Sequence, residues 1–510
     1  MKRIACMFLL LGYCAAWAQE THDHTAPETL GKVEFSTSCA AKVQGSFNRA
    51  VALLHSFTYA PAIEAFTRVA QADPGCAMAH WGVAMSYYHQ LWEPAFPGDA
   101  LDKARAVLEK AEAGAQQEKA ATPREREYVA AAALLVTPNE AYPARAAKYR
   151  DAMAALAGHY RDDVEAQIFY ALALLATASP RDQSHQNQKA AAKILVPLYQ
   201  KYPQHPGLSH YIIHATDNAE LAKDGLKAAQ EYSHIAPSAP HALHMPSHIF
   251  TRLGMWNDSI KSNQAARVAA RAQGDIGEEL HSMDYLVYAS LQVGRDAEAA
   301  AVLKDLSAMN LSQAKEFKIA YAATAMPVRY AVERRKWEDA ARCSAPEGAP
   351  PHVSALAAWA RALGKARSGD AAAAKADVEL MQKLAEQLRA AGNQYWAGQV
   401  DVQIGEARAW IAADENKPEE ALALMTKAAD DEDAVEKLPV TPGPIVPARE
   451  QLAGMLAQMG RNDAALTQYE KSLMASPGRR GALQGALESA RAAGMKSKAT
   501  FYEAALNKPN

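Results

Sequence analysis

The sequence predicts an all-α fold, a solenoid of helix-turn-helix repeats, and three observations predict it. Pro203 and Pro237 close successive amphipathic segments 34 residues apart, and histidines recur at the same interval, His210 to His244 and His214 to His248. The stretch PAIEAFTRVAQADP (61–74) sets Ala62, Phe66, Val69 and Pro74 where a second helix of such a unit needs a small residue, a packing aromatic, an apolar residue and a stop. The same order returns in Gly460, Ala465, Tyr469 and Pro477. Alanine is abundant and only 7% of residues are aromatic, which suits helices that cross closely. A period of this length marks stacked units, none of which can bury its apolar face alone.

The elements follow in order. Residues 1–18 read as a secretory signal peptide: a basic start, an apolar run and Ala16-Trp17-Ala18 as the cleavage signal. Residues 19–32 are polar and are expected to be disordered. Helical pairs are then predicted at roughly 43–74, 76–114, 123–159, 163–203, 206–237, 240–275, 279–310, 314–345, 353–388, 393–433 and 446–477, with a capping pair at 480–507. Thr122-Pro123-Arg124-Glu125 is a capping box with proline at the first helical position, which fixes that boundary. Gly254 and Gly294 supply two interhelix turns. The proline-rich VTPGPIVP (440–447) reads as a stiff connector that delays helix until Ala448. These boundaries divide the mature chain into N-terminal repeats (33–203), central repeats (204–310), divergent repeats (311–439) and a C-terminal repeat with its caps (440–510).

At 61–74, at Trp81-Gly82 and at GRNDAALTQYEKSLMASP (460–477) the chain resembles the tetratricopeptide repeat family. The resemblance covers nearly the whole mature chain and is most specific at 43–90, 203–299 and 446–477. HMPSHIF (244–250) resembles a signature of exported bacterial repeat proteins. The family implies a right-handed superhelix whose inner wall is made by the first helix of each repeat. It also implies a protein, peptide or small-ligand partner held in the concave groove. Aligning repeats on the turns at Asn218, Gly254 and Gly294 makes Gly207, His241 and His281 equivalent, then His210, His244 and Asp284, then His214, His248 and Tyr288. The third helix is placed by allowing six extra residues near 271–277. In the family these three positions face the groove, and Asp217, Asn218, Arg252 and Gln292 lie close by.

Helical geometry supports the same wall independently. Residues four apart share a face about 6 Å apart along the axis, and neighbouring helices lie about 8–10 Å apart. Four to six imidazoles therefore converge. Three readings compete: a groove that grips a peptide or anion through its imidazoles and Arg252, a transition-metal site of zinc or copper on His210, His214, His244 and His248, or buried polar packing. Met245 and Met283 would suit copper, and methionine is also ordinary packing material. His55, His80 and His89 read first as helix packing.

A net charge of −3 gives no basic field for nucleic acid. Past residue 18 no apolar run approaches the ~20 residues of a membrane span, so the expectation is a periplasmic or secreted protein that is not integral to a membrane. No HExxH, GxSxG, GxGxxG, P-loop or CxxCH motif occurs, and the expected role is binding rather than catalysis. Export permits disulfides, and Cys39 with Cys76 is the candidate pair, leaving Cys343 alone.

Overall fold

The computed structural model describes residues 28–116, 121–311 and 315–507. The signal segment 1–18 and residues 19–27 lie outside them. The described chain is helical throughout, with no strand among the described residues, and each helix packs chiefly on its neighbours in sequence. Helix pairs recur along the chain, as in Gln44–His55 with Tyr59–Ala72, Pro206–Thr216 with Ala222–Ile235, and Ala448–Gln458 with Asn462–Ala475, and the first helices at Pro206 and Pro240 start 34 residues apart. This is the tandem architecture that the tetratricopeptide resemblance implies. Among the described residues no helix is long and apolar enough to cross a membrane.

Local chemistry sets the ends. Thr122 and Glu125 form the reciprocal capping box at Pro123–Leu134. Asp163 and Asp275 each accept a backbone N–H three residues on, at 3.1 and 2.9 Å. The turn at Gly254 takes φ +69°, and a β-carbon there would lie 2.5 Å from the carbonyl oxygen of Pro477. Only glycine meets both demands. Gly82 likewise lets the Phe66 ring approach to where a β-carbon would stand, at 2.3 Å. Among the described residues the apolar interior runs as three large successive clusters along the array, beside a small one of Ala77, Ala115 and Ala121, and no single core gathers them.

Three expectations need correction. The start expected to be disordered is packed over 28–32: Leu30 is buried, the Lys32 amide donates to the Gln204 carbonyl at 2.8 Å, and the Ser238 amide donates to the Thr29 carbonyl at 3.2 Å. Leu30, Val33 and Phe35 supply the apolar surface that holds it down. The first helix of the 240–275 pair is broken into Pro240–His244 and Pro246–Arg252, because Pro246 has no N–H to continue the ladder. The second helix of the 314–345 pair is a single turn, Trp337–Ala340, followed by an irregular stretch to Pro350. The extra residues expected near 271–277 fall at the end of a longer outer helix, Trp256–Gln273, which stops at Gly274 in the left-handed conformation.

The array curls until distant repeats touch. The Trp256 indole donates to the Gly478 carbonyl at 3.0 Å, and the Glu436 amide donates to the Pro180 carbonyl at 2.7 Å. The connector 434–447 thereby lies against the inner wall instead of passing outside it.

Cys39 and Cys76 are joined in a disulfide that spans 37 residues and ties the first repeat to the second. Replacing both by alanine is expected to cost about 2–4 kcal/mol of stability. A thermal melt of the variant beside the parent checks this, and coincident melts would refute it.

Candidate metal centre

Three consecutive inner helices carry the site. Pro206–Thr216 presents His210 and His214, the broken helix 240–252 presents His241, His244 and His248, and Ile276–Gln292 presents His281. The break at Pro246 does not separate its two rings, since His244 Nε2 and His248 Nε2 lie 3.0 Å apart. The six imidazoles sort into two trios, His210–His214–His241 and His244–His248–His281, each with one nitrogen per ring within 4.8 Å of the others. Each trio takes an i, i+4 pair from one helix and its third ring from the next. The trios adjoin: the rings of His241 and His244 are 5.9 Å apart and those of His214 and His248 6.0 Å apart.

Oxygen acceptors fix the rings from behind. His210 Nδ1 donates to the His55 carbonyl at 2.6 Å, His241 Nδ1 to Glu278 at 3.2 Å, His244 Nδ1 to the Asn263 side-chain oxygen at 2.7 Å and His248 Nδ1 to Asp217 at 2.9 Å. A neutral ring has one donor and one acceptor nitrogen, so each of these four turns an Nε2 lone pair inward. His244 and His248 then face one another with two lone pairs 3.0 Å apart, a contact that no hydrogen bond between neutral rings can satisfy. The Nε2 atoms of His241 and His281 are buried without a partner.

Protonation is a poor remedy here. Burial, and after it the charge of neighbouring imidazoles, holds His210, His214, His244 and His281 well below the usual histidine range. Burial lowers His248 as well, although Asp217 opposes it. Burial pushes Asp217 up, but Lys437, Arg252 and His248 outweigh it and keep the carboxylate ionised. Glu278 is held low by Lys318 and His241 against the same burial penalty.

The wall is covered. Lys437 and Arg252 reach Asp217 at 2.7 and 2.9 Å, Arg252 also meets Glu436 at 3.3 Å, and Thr441 lies over Tyr285. Trp92, from the segment between the helices Ala77–Tyr87 and Ala100–Gln116, sets its ring 5.9 Å from His241 and 5.8 Å from His281. The concave groove expected around these residues is covered where the imidazoles lie: the chain's own connector rests on Asp217, Arg252 and Tyr285, and the Trp92 loop on His241 and His281. Phe57 caps the first trio, with its ring 4.4 to 5.8 Å from those of His210, His214 and His241. It does so from φ +52°, a conformation uncommon for a bulky residue.

The other expected site residues lie elsewhere. Asn218 accepts the Leu221 amide at 2.9 Å and shapes the turn before Ala222–Ile235. Asp284, Tyr288 and Gln292 belong to an arginine cluster further along the wall. Asp284 faces Arg329 at 3.6 Å, Arg479 donates to the Tyr288 hydroxyl at 3.0 Å, and Gln292 donates to Glu333 at 3.1 Å. Burial pushes Asp284 up to about 6. Gly207 fills its aligned position with no side chain because the His55 ring occupies that space, 2.7 Å from where a β-carbon would be. Met245 and Met283 are fully buried in separate apolar clusters, which accounts for both. His55 and His205 share Glu165, at 2.8 and 2.9 Å, one layer behind the first trio. The residues that sequence reasoning missed, Phe57, Trp92, Asn263, Glu278, Tyr285 and Lys437, carry no motif. Only the histidines advertise the site.

No family model matches the chain and no curated protein matches it. Solved structures do. The human IFIT1 dimer with PPP-AAAA is 13% identical, covering 90% of this chain and 88% of that one, with a TM-score of 0.37. The P58(IPK) TPR domain is 12% identical over 90% of this chain and all of that one, with a TM-score of 0.23. The APC/C hetero-tetramer Cut9-Hcn1 is 12% identical over 91% and 94%, with a TM-score of 0.29. Likeness at this level carries no argument about what this chain binds.

Asp217→Ala leaves two buried cations without their carboxylate, so it is expected to cost about 3–5 kcal/mol and to loosen the connector. Urea denaturation reads the first effect and faster proteolytic cleavage within 434–447 the second.

Proposed function

We propose that this protein binds transition-metal ions, zinc or copper, one in each imidazole trio. The observation that carries the reading is the facing pair of Nε2 lone pairs on His244 and His248, each enforced by an Nδ1–H bond to an oxygen on its far side. A cation between them converts a repulsive contact into an attractive one. The arrangement also has the second layer that metal-bound histidines use, in which a carboxylate, amide or carbonyl takes the other ring proton and orients the ligand. Neutral imidazole suits zinc and copper, and three nitrogens leave a coordination position open for water or a small ligand. In an exported chain, the burial of the trios would shield the ion from competing chelators.

The peptide-groove reading has less support, because the wall it needs is occupied by the connector and the Trp92 loop. A scaffold role for the outer faces of the array is compatible with metal binding and rests on the repeat architecture alone.

The test is elemental analysis of untagged mature protein beside the His214→Ala/His248→Ala variant, which removes one ligand from each trio. The parent is expected to carry about two ions per chain and the variant to lose most of both, with helicity by circular dichroism retained. Equal metal content in the two proteins, or none in either, would overturn the reading.

A further inference from the structure

The two trios are alike in their nitrogens and differ in what caps them. Phe57 covers the first with a hydrocarbon ring. Tyr285 covers the second, with its ring 4.8, 5.2 and 5.4 Å from those of His244, His248 and His281. The Tyr285 hydroxyl is buried, yet its partners are both distant: His248 Nε2 at 3.4 Å and the Thr441 carbonyl at 3.4 Å. A hydroxyl donor ordinarily stands about 2.7–2.8 Å from its acceptor. Nothing in the folded chain therefore uses this oxygen well.

Its position has a simple geometric meaning. A four-coordinate ion with nitrogen and oxygen ligands at ~2.0–2.1 Å has ligand-to-ligand edges of about 3.4 Å if tetrahedral, and shorter ones where the angle closes. The 3.4 Å from the Tyr285 oxygen to His248 Nε2 and the 3.0 Å from His248 Nε2 to His244 Nε2 are two such edges. His281, with a nitrogen within 4.8 Å of those of His244 and His248 and its Nε2 buried and unpartnered, is the group available for the remaining corner.

We propose that Tyr285 is the fourth, oxygen ligand of an ion held by His244, His248 and His281, so that the two trios hold their ions in different coordination. The first is a three-nitrogen site under Phe57, and the second is a three-nitrogen, one-oxygen site. This rests on the metal reading above and goes beyond it. On binding, the Tyr285 O–H bond is exchanged for a metal–oxygen bond and the proton leaves to solvent. No electron is transferred.

Copper(II) is the probe, because a phenolate bound to it gives a visible charge-transfer absorption that imidazole ligands do not. The metal-free chain titrated with copper(II) is expected to take two ions and to develop this band with one of them. Tyr285→Phe is expected to keep both ions and lose the band. His214→Ala, which disables the first trio, is expected to keep the band while losing one ion, and His248→Ala to lose both the band and one ion. Two bound coppers without a phenolate band in the parent, or an undiminished band in Tyr285→Phe, would overturn the proposal and leave the trios standing. Failure of the parent to bind copper(II) or zinc would overturn the metal reading and this proposal together.

Discussion

The inner wall is organised around one carboxylate. Asp217 ends the helix Pro206–Thr216 and receives three groups from two other parts of the chain: the His248 ring and the Arg252 guanidinium from one helix of the next repeat, and the Lys437 ammonium from a connector 220 residues further on. Each charge taken from water costs several kcal/mol unless it is paired, so neither of the two cations nor the carboxylate is content alone. Together they orient an imidazole, lock two repeats in register and seat the connector over the wall. The order of the cluster explains why so polar a surface can be buried.

The same economy governs the histidines. An imidazole has two nitrogens, and a buried one must satisfy both or leave one exposed to a low-dielectric interior. At His210, His241, His244 and His248 the outward nitrogen is satisfied by the fold, through a carbonyl, an amide oxygen or a carboxylate. The inward nitrogens are left to one another. Rings arranged purely for packing pair donor with acceptor, as His55 and His205 do through Glu165 and as His214 can with His210, their Nε2 atoms 3.1 Å apart; the facing Nε2 atoms of His244 and His248 do not.

Much of this was legible in the sequence, for a physical reason. Repeats expose their period because every unit buries the same face, so Pro203 and Pro237, or Ala62 and Ala465, had to recur in step. The i, i+4 pairs were legible because helical geometry places them. The grouping was not. That His241 joins His210 and His214, rather than its own neighbours, depends on the lateral offset between helices, which no spacing encodes. The connector was read as stiff because of its prolines, but where a stiff segment lies depends on partners such as Asp217 and Arg329, which donates to the Pro444 carbonyl at 3.2 Å. Asn218 was placed in the groove by alignment, while its side chain answered to the local turn.

Each trio borrows a ring across a repeat boundary, and that has a consequence for how this chain can change. Repeat arrays usually tolerate gain or loss of a unit, because each interface resembles the next. Here the units from Pro206 to Gln292 are not freely interchangeable: removing the one that carries His281 would bring the helix Phe317–Glu333, which has no histidine, against the His244–His248 pair. Duplicating one would separate Asp217 from the connector that answers it. The central repeats have given up modularity, and they behave as one indivisible word inside an otherwise editable sentence.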